Sequence, residues 1–180
     1  SVEPAAADEV SVGEARVSTT VFTIFSGESH ALIGTLKAEL ETLRIHGIIT
    51  DDMIRAAHTL GGIAGTVQLA GLSALGYAFE KAITRLAQDA LSESEQALVT
   101  EAVETLEAMV EVAVALRVPD APHALVARLE EAAAPRLADL PDLPMLQADQ
   151  DVLLPEEEGA LDREADGGLP PAEPEPPAAW

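Results

Sequence analysis

Four separate runs of apolar residues, each repeating at steps of three and four, force most of this chain into helices packed side by side. The first covers about 19–46, with Phe22, Phe25, Leu32, Leu36, Leu40 and Leu43 on one face. The second covers about 51–68 and carries Met53, Ala57, Leu60, Ala64 and Val67. The third covers about 72–88, with Leu72, Leu75, Phe79, Ala82 and Leu86. The fourth covers about 93–117, with Val99, Ala102, Leu106, Met109, Ala113 and Leu116. Stripes of this kind must be buried against other helices. Thr50 ahead of Asp51 and Asp52, and Ser92 with Glu95 three residues on, supply the oxygens that cap helix starts. Acidic residues in a first helical turn need no catalytic explanation. Short links such as Gln68–Gly71 make consecutive helices antiparallel neighbours. The expected fold class is therefore all-α, an antiparallel up-and-down four-helix bundle over residues 18–118. A weaker fifth helix, about 120–134, starts at Asp120 and is stopped by Pro135, within an additional segment 119–138. No strand pattern competes.

Composition agrees. Hydrophobic residues make up 48% of the chain but aromatics only 3%, so the core is built from Leu, Val, Ile and Ala. Leu and Ala lead the helix scale. Residues 1–17 are rich in Ala, Glu and Asp and read as a flexible linker. Residues 139–180 are acidic and proline-rich, and such sequence cannot bury enough apolar area to offset its ordering entropy. A disordered tether is expected there. With Ser1 rather than Met at its start and proline-rich sequence at its end, the chain reads as a piece of a longer polypeptide.

The formal net charge of −22 argues against nucleic acid and anionic membranes as partners, since both call for clustered Lys and Arg. No cysteine is present, which removes disulfides, thiolate metal sites and thiol nucleophiles and fits a reducing cytoplasm. No basic-then-apolar leader segment marks export. The uncharged run Thr59–Phe79 has the length of a membrane span, yet it holds five glycines and Gln68 and splits into two helical stripes. A membrane span is not expected.

The second helix carries a line that the core does not explain. His58, Gly61, Gly62 and Gly65 fall at i, i+3, i+4 and i+7 and share one face. Each helical glycine costs about 0.8–1 kcal/mol relative to alanine, so three on one stripe forgo a few kcal/mol. One reading is close helix packing through Gly61 and Gly65. The other is a smooth surface around an exposed imidazole, where a bulky partner can bring up a reactive group. Neutral imidazole is a competent nucleophile near neutral pH. Phosphoryl transfer is mostly positioning and charge stabilisation, usually with Mg²⁺. A carrier can leave that metal and its acidic pocket to the partner. The chain has no Walker loop, kinase-type glycine loop or basic phosphate clamp. His30, His46 and His123 show no metal-ligand spacing, and no metal site is expected.

Arg55-Ala56-Ala57-His58-Thr59-Leu60-Gly61-Gly62-Ile63-Ala64 resembles the phosphorylation helix of histidine-phosphotransfer (HPt) domains, which reads A-H-x-L-K-G-x-A. The following Gly71-Leu72-Ser73-Ala74-Leu75, ending in Phe79-Glu80, looks like that family's next helix, G-L-x-x-L…L-E. The resemblance covers roughly 20–117. It implies that His58 is the phosphoacceptor, modified on its outer nitrogen, and that Gly62 leaves room for an incoming aspartyl phosphate. It also implies a partner face of Arg55, Gly61, Gly62 and Gly65. Implied partners are a histidine kinase catalytic domain and a response-regulator receiver domain, the latter holding Mg²⁺, with no cofactor in this domain. The family's usual lysine, three residues after the histidine, is Gly61 here. Arg55 and Lys81 are either solvated charges or face a phosphoryl group or receiver, and Glu80 matches a family position but equally suits a cap or an intrahelical partner. The acidic, proline-rich flanks resemble linkers of chemotaxis-type histidine kinases, including those governing type IV pilus motility. Three readings follow: an active phosphorelay carrier that is not itself a catalyst, a non-phosphorylated HPt-like docking module, and a purely structural bundle.

Overall fold

The computed structural model describes residues 8–136 and 139–140. The tail expected to be disordered lies almost wholly outside the described residues, as does the start of the expected N-terminal linker. The described chain forms β1 (Glu9–Val12), β2 (Ala15–Ser18), α1 (Thr19–His46), α2 (Asp51–Thr66), α3 (Ala70–Leu86), α4 (Glu93–Val114) and α5 (His123–Ala133). Helix α1 packs on α2 and α4, while α3 packs on α2, α4 and α5. The four long helices thus close a ring, and α5 lies against the outside of α3. The interior is formed by Phe25, Leu36, Leu43, Met53, Leu60, Leu72, Leu75, Phe79, Ile83 and Leu106, all fully buried. Among the described residues no helix is long and apolar enough to cross a membrane, and the uncharged run Thr59–Phe79 folds as parts of two helices.

The expected caps are present. The Thr50 hydroxyl accepts from the Met53 amide at 3.2 Å and donates to Glu39 on α1 at 2.6 Å, tying the α2 start to its neighbour. Ser92 and Glu95 form a reciprocal capping box. Hydrogen bonds from the Ser92 backbone and then its hydroxyl, with Arg136 nearby, hold the Glu95 carboxyl below the ordinary range.

Several boundaries differ from the sequence reading, and α3 runs from Ala70 to Leu86 rather than over about 72–88. Helix α2 ends at Thr66 and α4 at Val114, short of the expected 68 and 117. Each is closed by a residue in the left-handed region, Gln68 at φ 60° and Leu116 at φ 61°. The Leu69 amide then reaches back to the Ala64 carbonyl at 3.0 Å, and the Arg117 amide to Val112 at 3.2 Å. These are C-terminal caps in which glycine is the usual residue. With Gln and Leu in its place the stop signal is hidden, and Leu116 projects outward instead of joining the core stripe. Helix α5 begins at His123 rather than Asp120, because the proline at 122 biases Ala121 away from helical backbone.

Residues 9–18 are not linker. They pair as an antiparallel hairpin in the register Glu9↔Ser18, Val10↔Val17, Ser11↔Arg16 and Val12↔Ala15. Gly13 at φ 60° makes the two-residue turn. Val12 and Val17 are buried with the helical core.

Glycines in α1 give a direct check of this packing. A Cβ on Gly34 would meet no atom within 4 Å. Gly34→Ala is therefore expected to raise stability by about 0.5–1 kcal/mol, read as a higher denaturation midpoint at unchanged slope.

Candidate functional site

Helix α2 turns Met53, Ala57, Leu60 and Ala64 into the core and leaves His58 outside, its side chain 61% exposed. The ring is not free to spin. Its Nδ1 lies 3.1 Å from Oε2 of Glu80, which sits 22 residues away on α3. A carboxylate can only accept, so Nδ1 carries the proton and donates it. In the neutral ring Nε2 then keeps its lone pair, on the side of the ring away from Glu80. This is the nitrogen available to an electrophile.

The two residues meet because α2 and α3 cross almost backbone to backbone. A Cβ on Gly76 would fall 2.8 Å from both Cα and N of Gly61. The Ser73 hydroxyl donates to the Gly61 carbonyl at 2.8 Å and fixes the same crossing. Gly61 is accordingly buried. Its expected place on a partner-facing surface is corrected by this packing. The i+3 edge of the stripe is covered by α3, while the i+4 and i+7 positions, Gly62 and Gly65, stay partly or fully exposed. Each explanation of the glycines holds for part of the stripe: close packing for Gly61, open surface for Gly62 and Gly65.

Tyr77, a residue the sequence reading did not single out, lies over Gly61. A Cβ on Gly61 would meet its Cγ at 3.2 Å, and one on Gly62 would meet its hydroxyl at 3.4 Å. The phenol ring stands edge-on to His58, with centroids 5.7 Å apart and planes at 70°. Arg55 is exposed on the same face and pairs with Asp52 at 3.0 Å. Lys81 is exposed on α3 next to Glu80. A shallow groove of about 480 Å³, lined by Gly65, Gln68, Ala70, Ser73, Ala74 and Tyr77, adjoins the histidine face. His30, His46 and His123 are exposed elsewhere, His30 facing Glu111 at 3.1 Å. Among the described residues no cluster of three His, Asp or Glu is placed to hold a metal.

The family model of the Hpt domain matches residues 20–113, just over half of the 180-residue chain. The chain belongs to the Hpt domain family. No curated protein and no solved structure matches it. The matched stretch of this Hpt domain runs from the start of α1 to the end of α4, so the hairpin and α5 lie outside it. Membership implies phosphotransfer in two-component signalling, and Hpt domains typically interact with kinases and response regulators.

Proposed function

We propose that this Hpt domain carries a phosphoryl group on Nε2 of His58 and relays it between a histidine kinase and the aspartate of a receiver domain. The observation that carries the reading is the Nδ1 contact to Glu80, with the rest of the imidazole open to solvent. When a phosphorylated receiver docks, the Nε2 lone pair attacks phosphorus and the P–N bond forms. The acyl P–O bond breaks, and its electron pair leaves on the receiver's aspartate. The ring gains positive charge, which the Glu80 carboxylate offsets through the Nδ1 proton. Return transfer reverses each step. Gly62 and Gly65 leave space for the partner, and Arg55 stands at the rim of that surface. The domain brings no metal to this scheme; Mg²⁺ belongs to the receiver's acidic pocket. A cytoplasmic setting goes with the proposed kinase and receiver partners, and a parent kinase of the chemotaxis type goes with acidic, proline-rich flanks that resemble the linkers of such kinases.

One observation favours a second reading, a docking module without phosphorylation. The position of the family's usual lysine is Gly61, and it is closed over by Tyr77. Incubation with a phosphorylated receiver and Mg²⁺, beside a His58→Gln variant, separates the two. Acid-labile label on the wild type and none on the variant is expected. No label on a folded wild type with several receivers would leave the docking module.

A further inference from the structure

A phosphoryl group on His58 meets an unfavourable electrostatic setting. It adds about −1.5 to −2 charges if it resembles other phosphorylated side chains. It does so beside the Glu80 carboxylate, in a chain whose formal net charge is −22. A protein donor facing its oxygens would offset that charge. The nearest cation on the same helix, Arg55, is shared with Asp52 at 3.0 Å. The hydroxyls around the histidine are mostly committed to backbone carbonyls: Thr59 to Arg55 at 2.9 Å, Thr66 to Ile63 at 2.7 Å and Ser73 to Gly61 at 2.8 Å.

The Tyr77 hydroxyl has no such commitment among the described residues. Its ring is held by backbone on one side, against Gly61, and by the edge of the His58 imidazole at a centroid distance of 5.7 Å. The hydroxyl end projects toward Gly62, one turn beyond the histidine, and the residue remains 37% exposed. A phenol is an O–H donor, and a bond from it to an anionic oxygen is of the stronger, charge-assisted kind.

Resting on the carrier reading above, we propose that Tyr77 contacts the phosphoryl group directly, its hydroxyl donating to a phosphoryl oxygen on His58 Nε2. No covalent bond to Tyr77 forms or breaks. The proton stays on the phenol, and its hydrogen bond draws off charge as the P–N bond forms. The glycine crossing of α2 and α3 acquires a purpose here, since it lays the ring where a lysine side chain on α2 has no room.

The test uses a small phosphoryl donor, phosphoramidate, so that partner docking plays no part, with phosphorus NMR following the phosphohistidine signal. Wild type, Tyr77→Phe, Lys81→Gln and His58→Gln are compared in the full chain, with thermal midpoints measured alongside. Tyr77→Phe keeps the ring and its packing and removes the hydroxyl alone. Its labelling of His58 is expected to slow roughly tenfold, the size of one charge-assisted hydrogen bond, at an unchanged midpoint. The phosphohistidine resonance is expected to shift between wild type and Tyr77→Phe, which a merely structural residue would not produce. Equal labelling rates in wild type and Tyr77→Phe overturn this role and leave the carrier reading standing. Loss in Lys81→Gln with none in Tyr77→Phe overturns it in favour of the lysine. Absence of label on wild-type His58 overturns the carrier reading, and this role with it.

Discussion

Gly76→Ala is expected to destabilise the bundle by about 1–2 kcal/mol, although the same exchange at Gly34 is expected to stabilise it. Alanine gains about 1 kcal/mol of helix propensity at either site. The difference is what the new methyl meets. At Gly76 it would fall 2.8 Å from Cα and N of Gly61 and 3.3 Å from the Ala57 carbonyl, all backbone atoms that no rotamer change can move. Relief requires α2 and α3 to part, and overpacking against backbone at 2.8 Å falls in the upper part of the usual range, about 2–3 kcal/mol, which outweighs the propensity gain. Gly76→Val adds two more carbons to the same contact and is expected to lose about 3 kcal/mol. Parting the helices also withdraws Glu80 and Tyr77 from His58, so His58 labelling falls with stability. Denaturant midpoints of Gly34→Ala, Gly65→Ala and Gly76→Ala check the argument, because a methyl at Gly65 makes ordinary contact with Ser73 at 3.6 Å. If all three variants were equally stable, the two helices would not be in backbone contact.

That crossing also marks where the sequence stopped being legible. The helices were readable because their apolar spacing is a local property, and each expected stripe on α2 and α3 is buried residue for residue. The bounds of α1 needed nothing more than its periodicity. The ends of α2 and α4 were obscured because Gln68 and Leu116 adopt backbone that glycine ordinarily signals. The hairpin went unread since its alternation, Val10, Val12, Ala15 and Val17, spans two strands of four residues inside acidic, alanine-rich sequence. Strands this short carry too few periods to stand out. Gly13 was the one local cue, placed between two alternating runs.

The site divides along the same line. His58 was visible as a polar residue heading a stripe that did not fit the core. Glu80 was visible through its place in the family pattern, but its service to the histidine depends on a contact across 22 residues. Tyr77 had no signal, as an aromatic on a core-facing helix is ordinarily core. Its position over α2 follows from two glycines on different helices meeting. Periodicity places residues on faces, and it does not say which face of one helix lies against which residue of the next.

Short of replacing His58 itself, loss of the Glu80 carboxylate should be the most damaging change that leaves the fold intact. As Nε2 takes the phosphoryl group, positive charge develops on the ring and concentrates at the Nδ1 proton. The carboxylate at 3.1 Å is placed to receive it. A hydrogen bond to a charged group contributes about 1.5–3 kcal/mol, which corresponds to a rate loss of roughly 10- to 150-fold when it is removed from the transition state. Glu80→Ala is expected to show that loss, since the ring also becomes free to rotate and to place its proton on either nitrogen. Glu80→Gln is expected to fall between it and wild type, because the amide oxygen still accepts from Nδ1 but carries no charge. Stability should hardly change. With side chains 61% and 27% exposed, the pair belongs to the class of surface contacts that contribute about 0–1 kcal/mol. Single-turnover labelling of His58, with thermal midpoints for each variant, separates the two effects. An unchanged rate in Glu80→Ala would mean that the contact holds the ring without serving the transfer. A rate ordered wild type, Gln, Ala at constant midpoint would identify charge and orientation as separate contributions of one carboxylate.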